Sequence, residues 1–416
     1  MGRGRPRKNN DAVANAILHP TKKKESTIRY PTGSDLLDII VGGNTNVFGY
    51  PVGKIINFVG DKSSGKTFLA CEVIAAAYHK FNSKIFKWKY DDCESGFSFN
   101  TKQMYGFEIM PMVVDNRYRS KTVEDAYCNV RSFFESLKDD EFGIYVLDSL
   151  DGLSSDEGAI LADERYKAYK NEKKFEKGSF RAGKPKYLSQ EFFPQLAEMI
   201  ETKNGLLIVI SQIRDNIDPM SFEKHSRAGG KAMDFYCHTV LWLAQVNKIK
   251  KKNRAIGVTV KAKTTKSKTP RPYREVFFQL IFDYGIDNIA SNIDFLFDLL
   301  TPTGMPVKDA KVSWGMSSYS IEDIKNFLAD IKKENFYRKN IHPKLKRSEV
   351  MEWLNSEGNE LLLNKFNKRF VNEMSRSDLV LYIEANNLQK ELTQKVVDKW
   401  EQIEESIKTH RPRKYS

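Results

Sequence analysis

The sequence predicts an α/β protein built around a mostly parallel central sheet, and three observations carry that expectation. From Pro31 to about Leu300, short apolar runs alternate with helix-patterned segments, as strands do when covering helices join them. One run, residues 54–59 (KIINFV), passes through a Gly-rich turn directly into a helical segment. Beyond Leu300 the strand-like runs give way to helical spacing.

Three regions are expected: residues 1–30, 31–300 and 301–416. The first is a basic tail with one short helix at residues 11–18. In the second, strands are expected at residues 54–59, 84–90, 144–147 and 206–210, then at 240–244, 258–262 and 275–282, with a helix over 66–81. Each run is short, apolar and rich in β-branched or aromatic residues. Residues 156–190 are charged and lack apolar spacing, and are expected to form a long, mobile loop with some helix. The third region is expected to be a small helical unit, with helices at 321–331, 347–355, 360–370, 377–385 and 392–407 and a basic tail at 410–414. No internal repeat occurs. Loops at the carboxyl ends of parallel strands build the ligand site in such sheets, so residues just after the strands are the functional candidates.

Composition narrows the class. Of 416 residues, 40% are hydrophobic and 29% charged, which suits a soluble globular protein. No run of about 18 apolar residues is present, so no membrane partner is expected. The first eight residues, MGRGRPRK, lack the apolar stretch of a secretory signal. Cys71, Cys93, Cys128 and Cys237 lie far apart with no CxxC pair, which argues against zinc and for a reducing cytoplasm. The net charge is +13 and it is unevenly placed. Residues 1–30 hold eight Lys/Arg against two acids, and residues 245–274 hold eleven Lys/Arg and no acid. A single charge run is commonly solvated surface, but two separate basic blocks point to a polyanionic partner.

The sharpest motif is Gly60-Asp61-Lys62-Ser63-Ser64-Gly65-Lys66-Thr67, which matches GxxxxGK[ST] between a strand and a helix. Glycines let the backbone curl so that its N–H groups face a phosphate chain. The helix N-terminus adds positive potential. Lys66 is placed for the β/γ-phosphates and the Thr67 hydroxyl for Mg²⁺. Asp148 ends an apolar strand, where a metal-associated carboxylate belongs in such sites. Glu94 follows the neighbouring strand and is a candidate to deprotonate the attacking water. Asp91 and Asp92 compete for that role on the residues alone.

These motifs, taken with others in order, resemble the RecA recombinases and the UvsX-type phage recombinases. Residues 31–40 (PTGSDLLDII) and the SSGKT loop are similar to the family's opening segment and P-loop. Residues 90–94 (YDDCE) resemble its D-A-E strand end, which favours Glu94 as the catalytic glutamate. Residues 145–149 (YVLDS), 211–214 (SQIR) and 229–232 (GGKA) with Phe235-Tyr236 follow its remaining motifs. The resemblance covers roughly residues 31–315. It implies a RecA-like core that binds ATP and Mg²⁺ and assembles as a helical homo-oligomer on DNA. Such a protein promotes homologous pairing and strand exchange in the cytoplasm of a bacterial or phage-infected cell. It further implies that Gln212 senses the γ-phosphate and passes that state to a second DNA loop at 213–230. There Arg214, Lys224, Arg227, Gly229, Gly230 and Lys231 would contact single- or double-stranded DNA, with part of 156–190 as the first loop. Lys266 and Lys268 match a pair that reaches the neighbouring subunit's ATP, and Phe235 would lie at the subunit interface.

The chain also departs from the family. Phe97-Ser98-Phe99-Asn100-Thr101 replaces the usual Asp and Tyr near the adenine, and Lys231 stands where Asn is common. The first loop is long and charged, and the region after about 320 has no counterpart. The N-terminal GRGRPRK resembles an AT-hook, a class of minor-groove binder, and reads equally as a generic basic tail. Two rival functions use the same core: a ring-shaped hexameric helicase, and an architectural DNA binder that keeps ATP as a structural ligand.

Overall fold

A computed structural model of the chain describes residues 28–43, 48–81, 83–110, 119–172, 183–215, 225–227, 230–269, 271–308, 310, 312–314, 321–333, 338–339, 344, 346–366, 373–409 and 411. The short helix expected at 11–18, the AT-hook-like segment and the basic tail at 412–414 lie outside the described residues.

Thirteen strands are described, in two small ribbons and one large sheet. β1 (Arg29–Tyr30) and β2 (Tyr50–Pro51) form one ribbon, with α1 (Asp35–Gly42) between them. The large sheet contains β3 (Lys54–Gly60), β4 (Phe86–Asp92), β5 (Phe142–Asp148), β6 (Gly205–Asp215) and β7 (His225–Arg227). Its other members are β8 (Thr239–Lys251), β9 (Arg254–Ser267), β10 (Glu275–Ile281) and β11 (Gly285–Asp287). The order is β11-β10-β9-β8-β3-β6-β5-β4, with β7 paired to β6 outside that path. β8, β3, β6, β5 and β4 run parallel. β9, β10 and β11 extend the sheet as antiparallel hairpins. The sheet is therefore α/β and mixed, with its parallel half carrying the site. Apolar runs alone do not separate crossover strands from hairpin strands, because strands of both kinds bury apolar side chains in this core.

The helices of the core are α2 (Lys66–Lys80), α3 (Thr101–Tyr105), α4 (Val123–Glu135), α5 (Asp156–Lys170), α6 (Gly183–Tyr187), α7 (Phe193–Thr202), α8 (Gly230–Tyr236) and α9 (Asn288–Leu296). Alternation along β3 divides the core in two. Ile56 and Phe58 face α1 and α2, whereas Ile55 and Val59 face α4 and α7. Burial of these side chains, at about 25 cal/mol per Å² of apolar area, holds the layers together.

Within 156–190, residues 156–170 and 183–190 form helical elements. α5 is a regular helix capped at Ser155 whose side chain accepts from Gly158 N, yet it buries none of its residues. Leu188–Phe192 forms a π-helical stretch that runs into α7, with Leu188, Phe192 and Phe193 buried. No residue of α5 is buried, so its sequence carries no apolar stripe that would mark a helix.

The second ribbon is β12 (Val312–Ser313) with β13 (Glu373–Met374). α10 (Ile321–Asp330), α11 (Arg347–Leu354) and α12 (Glu360–Phe366) share a small core around Phe327, Trp353 and Phe366. α13 (Arg376–Ala385) and α14 (Gln389–Ser406) return to the main body. Val396, Val397 and Trp400 of α14 join the α1–α2 core. Thr393 Oγ1 donates to Asp35 Oδ2 at 2.7 Å, and Glu404 pairs with Arg274 at 2.9 Å.

One buried carboxylate locks β11 to α2. Glu72 Oε1 accepts from Ile286 N at 2.7 Å and from the Tyr105 hydroxyl at 3.2 Å. Burial pushes its pKa up to about 7, against the lowering effect of those two bonds.

Candidate nucleotide site

The site lies at the carboxyl edge of the parallel strands, where β3 turns into α2. Gly60 is the hinge of that turn, since a Cβ there would lie 2.4 Å from Ser64 Oγ and 2.5 Å from the Leu243 carbonyl. Ser63 and Gly65 take left-handed backbone angles, φ 59° and 89°. That curl turns successive N–H groups inward, as an anion cradle requires. Gly65 caps α2 without a side-chain hydrogen bond, leaving the helix N-terminus free for an anion. Lys66 is 9% exposed and folds back over the loop, donating to the Gly60 carbonyl at 2.9 Å and the Asp61 carbonyl at 2.7 Å. Burial lowers its pKa, and the charges of Asp148, Asp61, Glu94 and Asp151 oppose that.

The expected metal pair meets. Thr67 Oγ1 donates to Asp148 Oδ2 at 2.8 Å. Tyr90 donates to the same oxygen at 2.5 Å. Burial raises the Asp148 pKa, and these two bonds resist the rise. Hydroxyl and carboxylate oxygens are a hard donor set that fits Mg²⁺ when substrate phosphates complete its shell. Among the described residues no three His, Cys, Asp or Glu side chains cluster as a protein-only cage.

The three carboxylates at the end of β4 separate. Asp91 accepts from Ser120 N and Oγ at 3.1 and 2.6 Å and from the Tyr145 hydroxyl at 2.7 Å. Asp92 accepts from Gly96 N and Phe97 N at 3.2 and 3.0 Å. Both are buried in local structure. Glu94 is exposed and faces the site. Its Oε1 accepts from Gln212 Nε2 at 2.9 Å and from the Ser149 hydroxyl. The Gln212 backbone N donates to Asp151 Oδ2 at 2.7 Å. Tyr90, Ser149 and Asp151 were not singled out in the sequence. Each serves through a partner on another strand end, and no local motif marks such a residue.

A network runs from the strand bearing Gln212 to β7. Asn57 Nδ2 donates to Ser211 Oγ at 2.9 Å and to the Val209 carbonyl at 2.8 Å. Asn57 Oδ1 accepts from Arg227 Nη1 at 2.7 Å, and Arg227 Nη2 also reaches Asp234. The Arg227 side chain is 7% exposed, so its guanidinium is turned into the sheet. Arg214 sits in β6 opposite Ser226, and Gly230 and Lys231 open α8. Lys224 and Gly229 lie outside the described residues.

Lys266 pairs across β8 at Val240, in line with Asn57 rather than with Gly60. Lys266 and Lys268 therefore sit toward the amino edge of β3, away from the chain's own P-loop. Lys266 Nζ donates to the Phe235 carbonyl at 3.1 Å, and Phe235 is 71% exposed. Burial, then the neighbouring Lys268 charge, lowers the Lys266 pKa.

Beside the P-loop is a cavity of about 340 Å³ whose apolar wall includes Phe68, Phe99, Val258, Leu280 and Phe282, with Gln245 at its rim. Phe68 and Phe99 meet edge to face at 4.3 Å. Here the departure at residues 97–101 takes physical form, as an aromatic wall suited to a planar ring.

A P-loop between strand and helix, a hydroxyl–carboxylate pair and a glutamate at an adjoining strand end make up a candidate nucleoside-triphosphate site on an α/β sheet. Comparison with known proteins narrows that class. Residues 169–287 match the RecA N-terminal domain. The chain is 30% identical over 266 residues to a Protein RecA of Aquifex pyrophilus, covering 64% of this chain and 68% of that protein. It is 28% identical over 268 residues to a Protein RecA of Chloroherpeton thalassium, covering 64% and 67%. A crystal structure of the RadB recombinase matches with a TM-score of 0.41 at 19% identity, over 62% of this chain and 98% of that one. The chain belongs to the RecA family.

Proposed function

We propose that the protein is an ATP-dependent DNA recombinase that assembles as a helical filament on single-stranded DNA and promotes homologous pairing and strand exchange. Family membership supports ATP hydrolysis and DNA binding, and the two basic blocks of the sequence support a polyanionic partner. The single observation that carries the reading is the 2.9 Å hydrogen bond from Gln212 Nε2 to Glu94. It joins the exposed carboxylate of the nucleotide site to the strand that leads into residues 213–230.

In this reading Lys66 and the loop N–H groups hold the phosphates, and Thr67 and Asp148 hold Mg²⁺, which neutralises charge on them when bound. Glu94 takes the proton of the attacking water. The aromatic cavity holds the base. Gln212 moves with the state of the γ-phosphate and shifts the loop carrying Arg214, Lys224, Gly229, Gly230 and Lys231, with Arg227 bracing its base through Asn57. Lys266 and Lys268 act on the ATP of the next subunit, and Phe235 lies between subunits. Among the described residues no helix is long and apolar enough to cross a membrane, and the proposed location is the cytoplasm.

The test is ATP hydrolysis and strand exchange with and without single-stranded DNA, with electron microscopy of the same samples. DNA-stimulated hydrolysis with open helical filaments and joint-molecule formation is expected. Closed rings would favour the helicase, and ATP binding without turnover would favour the architectural binder.

A further inference from the structure

Tyr90 carries a hydroxyl that its packing does not require. Its ring is buried in the core that β4 and β5 share with α2. A phenyl ring would fill the same space, and a hydroxyl taken out of water is unfavourable unless it finds a partner. The partner is Asp148. Tyr90 is registered opposite Val146 on the neighbouring β5. Residues two apart on a strand share a face, so Tyr90, Val146 and Asp148 lie on the side of the sheet that α2 covers. The hydroxyl reaches diagonally and donates to Asp148 Oδ2 at 2.5 Å. Thr67 Oγ1 donates to the same oxygen at 2.8 Å. Among the described residues no side-chain hydrogen bond engages Asp148 Oδ1.

The Tyr90 ring is itself held in place. Phe97 meets it edge to face at 4.9 Å, Phe97 meets Phe99 at 5.5 Å, and Phe99 meets Phe68 of α2 at 4.3 Å. The Phe97 backbone N donates to Asp92 Oδ2 at 3.0 Å, which fixes the start of this file. A ring packed in this way aims its hydroxyl at one point. Thr67, by contrast, is proposed above as a metal ligand in its own right. Phe68 and Phe99 also wall the cavity beside the P-loop, so the metal carboxylate and the base cavity belong to one packed unit.

We infer that Tyr90 is a positioning residue for the metal site: its hydroxyl fixes Asp148 Oδ2 and so holds the carboxylate in the orientation that Mg²⁺ binding with the nucleotide uses. A donor bonded to a metal-binding carboxylate sets its orientation, and loss of such a donor weakens metal binding by about 10- to 100-fold. The inference rests on the nucleotide and Mg²⁺ site proposed above.

The experiment compares wild type, Tyr90→Phe and Tyr105→Phe. The last is the control, because the half-buried Tyr105 hydroxyl also donates to a carboxylate, that of Glu72 on α2, and not to Asp148. Affinity for a fluorescent ATP analogue is measured in EDTA and across a Mg²⁺ titration. Mn²⁺ binding to the protein–nucleotide complex is followed by electron paramagnetic resonance, and phosphate release on single-stranded DNA is measured over the same metal range. Tyr90→Phe should need about 10- to 100-fold more Mg²⁺ or Mn²⁺ for half-saturation, with metal-free affinity within about twofold of wild type. Excess metal should recover most of its turnover. Tyr105→Phe should keep the wild-type metal requirement. An unchanged requirement in Tyr90→Phe, beside a metal-dependent wild type, overturns the inference alone. An equal shift in Tyr105→Phe overturns it too, as does a loss of metal-free affinity that excess metal does not restore, since either marks a general packing defect. A wild type whose ATP binding ignores the metal would sink the metal site of the proposed function, and the inference with it.

Discussion

Glu94→Gln separates nucleotide binding from turnover, and the surroundings of Glu94 set the size of both effects. Glu94 makes no hydrogen bond to residues 60–67. Among the described residues its hydrogen-bond partners are Gln212 Nε2 at 2.9 Å and the Ser149 hydroxyl. A carboxamide oxygen still accepts from both, although a bond to a neutral acceptor is about half as strong as one to a carboxylate. The Gln212 link then loses about 1 kcal/mol and persists. Lys66 loses one of four acidic neighbours that oppose its deprotonation, and Asp148, Asp61 and Asp151 remain. ATP affinity should therefore change by less than about fivefold, equivalent to about 1 kcal/mol. Turnover is different, because a carboxamide cannot take the water's proton. Loss of a general base costs about 10²- to 10⁴-fold. The assay pairs equilibrium binding of a fluorescent ATP analogue with steady-state phosphate release on single-stranded DNA. The variant should also hold DNA longer after ATP addition than wild type, since the ATP-bound state is not discharged. Hydrolysis within about threefold of wild type would refute Glu94 as the base and return Asp91 and Asp92 to consideration.

Gln212→Ala removes the donor to Glu94. It should leave ATP binding near normal while reducing the ATP-dependent gain in DNA affinity by about 5- to 150-fold, the range of an allosteric coupling; an undiminished gain in paired DNA titrations would exclude this side chain as the link. The Lys266→Ala/Lys268→Ala double variant should bind ATP and lose DNA-stimulated hydrolysis by about 10³-fold if the pair acts as a cation supplied in trans. Mixing it with Lys66→Ala protein should restore part of the activity, and no recovery in demonstrably mixed filaments would place the pair outside the shared site. Glu72→Gln tests the buried carboxylate. Its folded pKa of about 7 lies above the ordinary 4.5, so the folded state binds the proton more tightly. Stability from that group is full below pH 4.5 and is lost as pH rises through about 7. The shift corresponds to about 3 kcal/mol at most. Relative to wild type, the Gln variant should gain stability in denaturant unfolding as pH rises from about 5 to 8, and a pH-independent difference would contradict the linkage.

The strand–turn–helix unit at Gly60–Thr67, Asp148 at a strand end and the α/β class were legible in the residues. Those signals are local: a fixed spacing of glycines around a lysine, and apolar runs of strand length. The residues alone left Asp91, Asp92 and Glu94 as equals because all three lie within four residues at one strand end, and only the family resemblance favoured Glu94. The fold supplies the physical division. Ser120 and Tyr145 consume Asp91, backbone N–H groups consume Asp92, and Glu94 is left facing Gln212 from a strand two places away. Tyr90 and Asn57 read as ordinary strand residues until their neighbours on β5, β6 and β7 are known. The basic run at 245–274 was plain as composition. Its division into a strand pair near the amino edge and a strained tip at the carboxyl edge is decided by hairpin register. Which end of the hairpin lies at which edge depends on the parallel pairing of β8 with β3, a long-range contact that no window of sequence contains.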